Sequence, residues 1–155
     1  MQQTNAFRKC YGAGPLTWDD SLAAIARTNA KKNANQDNFE HINGQGMYGE
    51  NLWKQFPKSC DLAAAGLAAE KAWEGEEAQW RHGDTFSPQT GHFTQVVWKG
   101  TTRIGCSAVA GPGGPNAPMP GGTTVVSCVY AAAGNNVGEG QFAANVGKKD
   151  PQCSV

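Results

Sequence analysis

The stretch "GHFTQVVWKGTTRIGC", Gly91–Cys106, decides the fold. A histidine opens a segment that is otherwise apolar and carries a tryptophan, and a strand-like run to a cysteine follows at once. A helical start at Thr90 or Gly91 gives "HFTQVVW" one or two turns. Beyond it, Ile104, Cys106 and Ala108 of "RIGCSAV" alternate onto one face, as do Val126, Cys128 and Tyr130 of "TVVSCVY". The segment Gly111–Gly122, "GPGGPNAPMPGG", joins the two strands as a long hairpin loop. Antiparallel pairing about that loop sets Cys106 opposite Cys128 and Ala108 opposite Val126. A Cys106–Cys128 disulfide is therefore expected, and with it an oxidising compartment.

Working outward, the segment before the histidine is mostly helical. "LTWDDSLAAIARTNAKKNA" has Thr17 or Asp19 as a cap, and Leu22, Ile25, Ala26, Asn29 and Ala30 share a face. "QTNAFRKCYGAG" reads as a short helix stopped by Gly12 and Gly14. "CDLAAAGLAAEKAWEGEEAQW" gives the strongest helix pattern, with Leu62, Gly66, Ala69, Trp73 and Trp80 on one stripe. "DNFEHINGQGMYGENLW" is polar and punctuated by glycine, and reads as an ordered loop. Helices ahead of a terminal hairpin imply an α+β or three-layer architecture.

At 155 residues the chain is one domain, 1–155, with enough length to bury a core. Thirteen basic residues balance thirteen acidic ones, and no basic run exceeds two. This excludes the electrostatic footprint of a nucleic-acid binder. No apolar stretch approaches the roughly 20 residues that span a bilayer. "MQQTNAFRKC" lacks an apolar signal core, so a secretory signal is absent from this chain or already removed. Five cysteines without CxxC spacing are too few for a disulfide scaffold, and their odd number leaves at least one without an internal partner.

Three stretches place polar groups among apolar neighbours: His41 with Glu50, the acids after Trp73, and His92. Two histidines and two carboxylates in one cleft can bind a divalent metal, run acid–base chemistry or satisfy one another. At 100° per residue Glu76 and Glu77 flank the Trp73/Trp80 stripe equally, while Glu74 points away. For His92 a first-turn position disfavours imidazolium, leaving a neutral ring for a metal, a proton or a nearby backbone group. His82, between Arg81 and Asp84, reads as a solvated surface residue, and Asn51 as a tie for loop backbone.

"GHFTQVVW" followed by "GC" (Gly105–Cys106) resembles the signature of the CAP superfamily: cysteine-rich secretory proteins, antigen 5 and plant pathogenesis-related class-one proteins. "VVSCVYAAAGNNVG" resembles its second signature, with Val129 where a polar residue is usual. "HINGQGMYGENLW", "AWEGE" and "GAGPLTWDDSLA" resemble further segments in the same order. The resemblance implies a three-layer α-β-α sandwich of the CAP type with a small antiparallel sheet. Its cleft would gather His41, Glu50, Glu76 and His92, the Trp73-x-x-Glu76 match choosing between the two acids. Asp37 stands where many relatives have a cysteine, so that family disulfide is expected to be missing. Cys10, Cys60 and Cys153 match no assignable pattern.

The style of the histidine motif and the low cysteine count look most like the fungal secreted branch, whose members bind sterols and fatty acids and export them. By that resemblance the function is secreted, non-enzymatic binding of sterols or other small lipids, in export, defence or virulence. Trp80, Phe86 and Pro88 are the apolar members of the loop to which sterol binding is attributed. The alternative is a metal-dependent hydrolase using the His/Glu cleft, although there is no HExxH and no serine-nucleophile motif. No cofactor is required; zinc on His41 and His92 is the candidate metal.

Overall fold

The computed structural model describes residues 1–36, 39–42, 44, 46–112 and 121–154. Asp37 and the interior of the hairpin loop lie outside the described residues. The order of elements is α1 (Gln2–Cys10), β1 (Thr17–Trp18), α2 (Asp20–Gln36), β2 (Gly49–Gln55), α3 (Leu62–Gly75), a 3₁₀ turn (Glu76–Gln79), α4 (Gly91–Val96), β3 (Arg103–Gly111), β4 (Thr123–Ala131) and α5 (Gln141–Asn145). The strands form one sheet in the order β1-β3-β4-β2, antiparallel except for the short β1–β3 pairing.

β4 is buried along its whole length because helices cover both faces of the sheet. On one face Leu22 and Ala26 of α2 pack with Val129 and Ala131, and Ala30 and Ala34 with Leu52 and Val125. On the other, Ile104, Val126, Cys128 and Tyr130 meet Phe7, Ala69, Trp73, Phe93 and Val96 from α1, α3 and α4. The period-two alternation of β3 and β4 is thus divided between two cores. Burying a side chain such as Phe93 contributes on the order of 1.5–3 kcal/mol. Gly105 lets α2 lie directly on β3, since a Cβ there would fall 2.1 Å from the Ala23 amide nitrogen.

The expected register is present, with Cys106 opposite Cys128 and Ala108 opposite Val126, and the Cys106–Cys128 disulfide closes across it. Cys10 pairs with Cys153, fastening α1 to the C-terminal segment, and Cys60 carries an exposed free thiol. Asp19 caps α2, accepting from the Ser21 and Leu22 amides at 2.9 and 3.1 Å, whereas Thr17 belongs to β1. Asp61 caps α3 through the Ala64 amide at 2.9 Å.

Two sequence expectations are corrected. The "GENLW" end of the supposed loop is the first part of β2, an edge strand pairing with β4 from Gly49 to Gln55. Its adjacent Leu52 and Trp53 fall on opposite faces, so neither a single apolar face nor a helical stripe marks it. The apolar stripe of α3 is also narrower: Ala65, Ala69 and Trp73 are buried, while Leu62 is exposed and Trp80 lies past the 3₁₀ turn.

Arg8 is the unforeseen core residue. It is fully buried and donates to four carbonyls: Gly14 at 2.8 Å, Val96 at 2.6 Å, Trp98 at 3.0 Å and Thr101 at 2.9 Å. These oxygens lie on the turn after α1 and the chain leaving α4, so one guanidinium joins the two. Burial brings its pKa down to about 10, so it remains charged at neutral pH.

Candidate functional site

The site forms where β2, α4 and the segment 39–42 meet. Glu50 on β2 is packed into a nest of donors, its side chain 2% exposed. Asn29 Nδ2 donates at 2.8 Å, Ser127 Oγ at 2.5 Å, the Ile42 amide at 2.9 Å, and His41 Nδ1 lies at 3.0 Å. Burial alone would raise the Glu50 carboxyl, but these donors outweigh it and hold the group below its ordinary value.

His92 is organised by one carboxylate. Thr90 makes no side-chain cap on α4. Glu76, from the 3₁₀ turn, accepts instead from the His92 and Phe93 amides at 3.0 and 3.1 Å. The same carboxylate lies 2.6 Å from His92 Nδ1, and the ring stacks on Trp73. An anion at a helix start is favoured by the exposed amides, so Glu76 replaces the missing cap and orients the imidazole together. The choice of Glu76 over Glu77 has a plain geometric counterpart, because Glu77 pairs instead with Lys149 at 2.7 Å.

His41, Glu50 and His92 line one cavity of about 230 Å³, with Phe86, Pro88 and Asn135 at its rim. Glu76 and His92 also line a neighbouring hollow of about 350 Å³ with Phe39, Trp53 and Trp73. His92 is therefore the wall between the two spaces. Phe86 is exposed beside Gly91, where a Cβ would come 3.1 Å from its ring. Trp80 stands apart from the cleft lining: its ring packs on Phe93 and Phe142, each at 6.1 Å. His82 is exposed, as expected.

Among the residues that hold the cleft, Asn135 and Gln95 were not singled out in the sequence, whereas Asn51 was read as a tie for loop backbone. Asn135, at φ 55°, donates to the Gly91 carbonyl at 2.7 Å and accepts from Thr94 at 2.6 Å. The glycine before it, and asparagine's tolerance of left-handed backbone, were the available signals. Asn51, buried, donates to the His92 carbonyl at 3.1 Å and the Tyr130 hydroxyl at 3.3 Å, so it fastens α4 to the sheet. Gln95 occupies the space above Gly49, where a Cβ would sit 1.9 Å from its Oε1. That explains why the chain needs glycine ahead of Glu50.

For a metal, the imidazole Nδ1 atoms are engaged by carboxylates, which leaves each Nε2 as a potential ligand. Among the described residues no group of three or more His, Cys, Asp or Glu side chains converges as a ligand set. His41 and His92 thus present two imidazoles to one cavity, with no third protein ligand gathered beside them among the described residues.

Comparison with known proteins supplies the family. The family model described as the cysteine-rich secretory protein family, CAP, matches residues 1–130. Pathogenesis-related protein 1A1 of Solanum lycopersicum is 39% identical over 137 residues, covering 86% of this chain and 69% of that protein. Pathogenesis-related protein 1 of Arabidopsis thaliana is 36% identical over 132 residues, covering 84% of this chain and 73% of the relative. Among solved structures, NaASP2 with Zn2+ superposes with a TM-score of 0.70 at 24% identity, over 99% of this chain and 85% of that one. MpPR-1i gives 0.59 at 17% identity, over 92% and 89%. The helix-covered sheet, the His/Glu cleft and these matches lead to one conclusion: the chain belongs to the CAP family.

Proposed function

We propose that this chain works outside the cell as a non-enzymatic binder of sterols or other small lipids, in lipid export, defence or virulence. The two disulfides suit an oxidising compartment, as does the secretory family. The observation that carries the lipid reading is an apolar cavity of about 180 Å³ between α1, α3 and the sheet. Gly66, Trp73, Val96, Ile104 and Val126 wall it, and the exposed Trp18 stands at its edge. It takes an acyl chain or the narrow end of a sterol, each buried CH₂ contributing about 0.8 kcal/mol. Phe86 and Pro88, exposed at the cleft rim, offer a second apolar contact. The likeness to the fungal branch is part of this proposal.

The cleft's carboxylates support a binding role over hydrolysis. Glu50 has four donors on its two oxygens and no lone pair left to activate water. Ser127, fully buried, spends its hydroxyl on Glu50. A divalent cation on His41 and His92 is a separate element of the proposal; when bound it would supply a positive charge at the cleft. Zinc calorimetry on the wild type and His92→Ala tests it, and identical heats exclude the site.

The lipid reading is tested by saturable binding of radiolabelled cholesterol, ergosterol and palmitate. Gly66→Leu projects a side chain from a position where a Cβ meets nothing within 4 Å, and plugs the cavity. Phe86→Asp makes the cleft rim polar. Loss of binding in the first variant assigns the cavity, and loss in the second the loop. No saturable binding at micromolar protein rejects the reading.

A further inference from the structure

Glu70, Glu74 and Glu77 follow one another a turn apart along α3 and the 3₁₀ turn, on the face toward α1. Thr4 of α1 donates to Glu70, and Gln3 Nε2 reaches Glu74 Oε2 at 3.4 Å. Glu77 has Lys149. Among the described residues Glu74 has only the long Gln3 contact, and its Oε1 is buried with no donor. The Met1 amino group offsets part of this charge, while Glu70 and Glu77 add to it. From β4 the buried Tyr130 hydroxyl also faces Glu74 and Glu70, with Arg8 beyond it. Tyr11, just past the end of α1, faces Glu77. Burial first, then the neighbouring Glu70, push the Glu74 carboxyl up to about 7.

The apolar cavity opens between the same two helices. Met1 and Thr4 line it from the α1 side, and Gly66, Glu70 and Trp73 from α3. The polar contacts that close the seam and the mouth of the cavity therefore share Thr4 and Glu70.

We propose that the α1–α3 seam is a proton-operated latch over this cavity: protonated Glu74 lets the helices close, and its ionisation drives the first turn of α1 off α3, about the end that Arg8 and Cys10 fasten, and widens the mouth at Thr4, Gly66 and Glu70. The lipid-binding reading supplies the ligand of the latch, but the helix movement does not depend on it. A carboxylate formed there has two like charges a turn away and a buried oxygen without a donor, so separation and hydration are its relief. Above the transition the cavity exchanges ligand; below it the cavity retains what it holds.

The test is hydrogen exchange of the α1 amides together with uptake of N-phenyl-1-naphthylamine, an apolar probe that stays uncharged between about pH 5.5 and 8.5. Protection factors in α1 are expected to fall at least about tenfold across that range while those of β3 and β4 hold. Probe association should quicken several-fold in parallel. Glu74→Gln should keep α1 protected and uptake slow throughout, and Glu70→Gln should move the transition to lower pH, because removing a like charge lowers the Glu74 carboxyl. Constant α1 protection in the wild type, or an unaltered transition in Glu74→Gln, overturns the latch. Gly66→Leu separates the two readings, since it should abolish uptake and leave the α1 transition in place. An α1 transition without probe uptake in the wild type keeps the latch and removes the lipid reading. Uptake at one rate over a static α1 does the reverse.

Discussion

Glu50 and Glu74 are two partly buried carboxylates on the same molecule, and they are shifted in opposite directions. Four donors surround Glu50 and hold it below its ordinary value despite burial. Glu74 has one long contact and two acidic neighbours, and it rises. Burial is common to both, so partners decide the outcome. The cleft is a region of satisfied groups fixed in place, whereas the α1–α3 seam is a region of unsatisfied ones beside an apolar space. Rigidity is located at the first, and responsiveness at the second.

The contrast breaks most severely at Arg8, which ties the end of α1 to the chain after α4. Arg8→Met leaves several buried carbonyls without donors and is expected to lower the unfolding free energy by about 3–5 kcal/mol, read by urea denaturation. A loss under about 1 kcal/mol would mean that water replaces the guanidinium freely. Glu50→Gln should cost about 2 kcal/mol at neutral pH, because an amide NH₂ then confronts donors. The pH profile gives the sign. A lowered carboxyl contributes stability above its unfolded value near 4.5, and that contribution is lost as pH falls, so the variant should lack this acid-side loss.

Glu74→Gln sharpens the other half. A raised carboxyl contributes stability below about 4.5, lost as pH climbs through about 7. The variant should lie flat across that window, exceeding the wild type above it by about 1 kcal/mol after allowance for partial exposure. The smallest effect belongs to Gly66→Ala. A Cβ there has open space within 4 Å, so thermal denaturation should show a gain of about 0.5–1 kcal/mol from helix propensity.

Legibility in the sequence followed the physics of each element. The β3–β4 hairpin and its disulfide were readable because alternation and an intervening turn segment fix register locally. α2 was readable from its cap and period, α3 from its period, and α4 as one or two turns opened by His92. β2 was not, because its apolar residues serve opposite faces of the sheet. Arg8 beside Lys9 looks like an ordinary solvated pair in one dimension, and only the fold brings four carbonyls to it. The Cys10–Cys153 link joins residues 143 apart, beyond any local pattern. Within the cleft, helical geometry left Glu76 and Glu77 equal. The family resemblance chose Glu76, and the cap on α4 gives the choice a cause.

The Cys10–Cys153 bond makes nearly the entire chain a closed covalent ring. A single protease cut in the exposed stretch from Arg81 to Gln89 would linearise that ring without releasing a fragment. Such nicked molecules would keep their mass on a non-reducing gel and fall into two pieces only after thiol treatment.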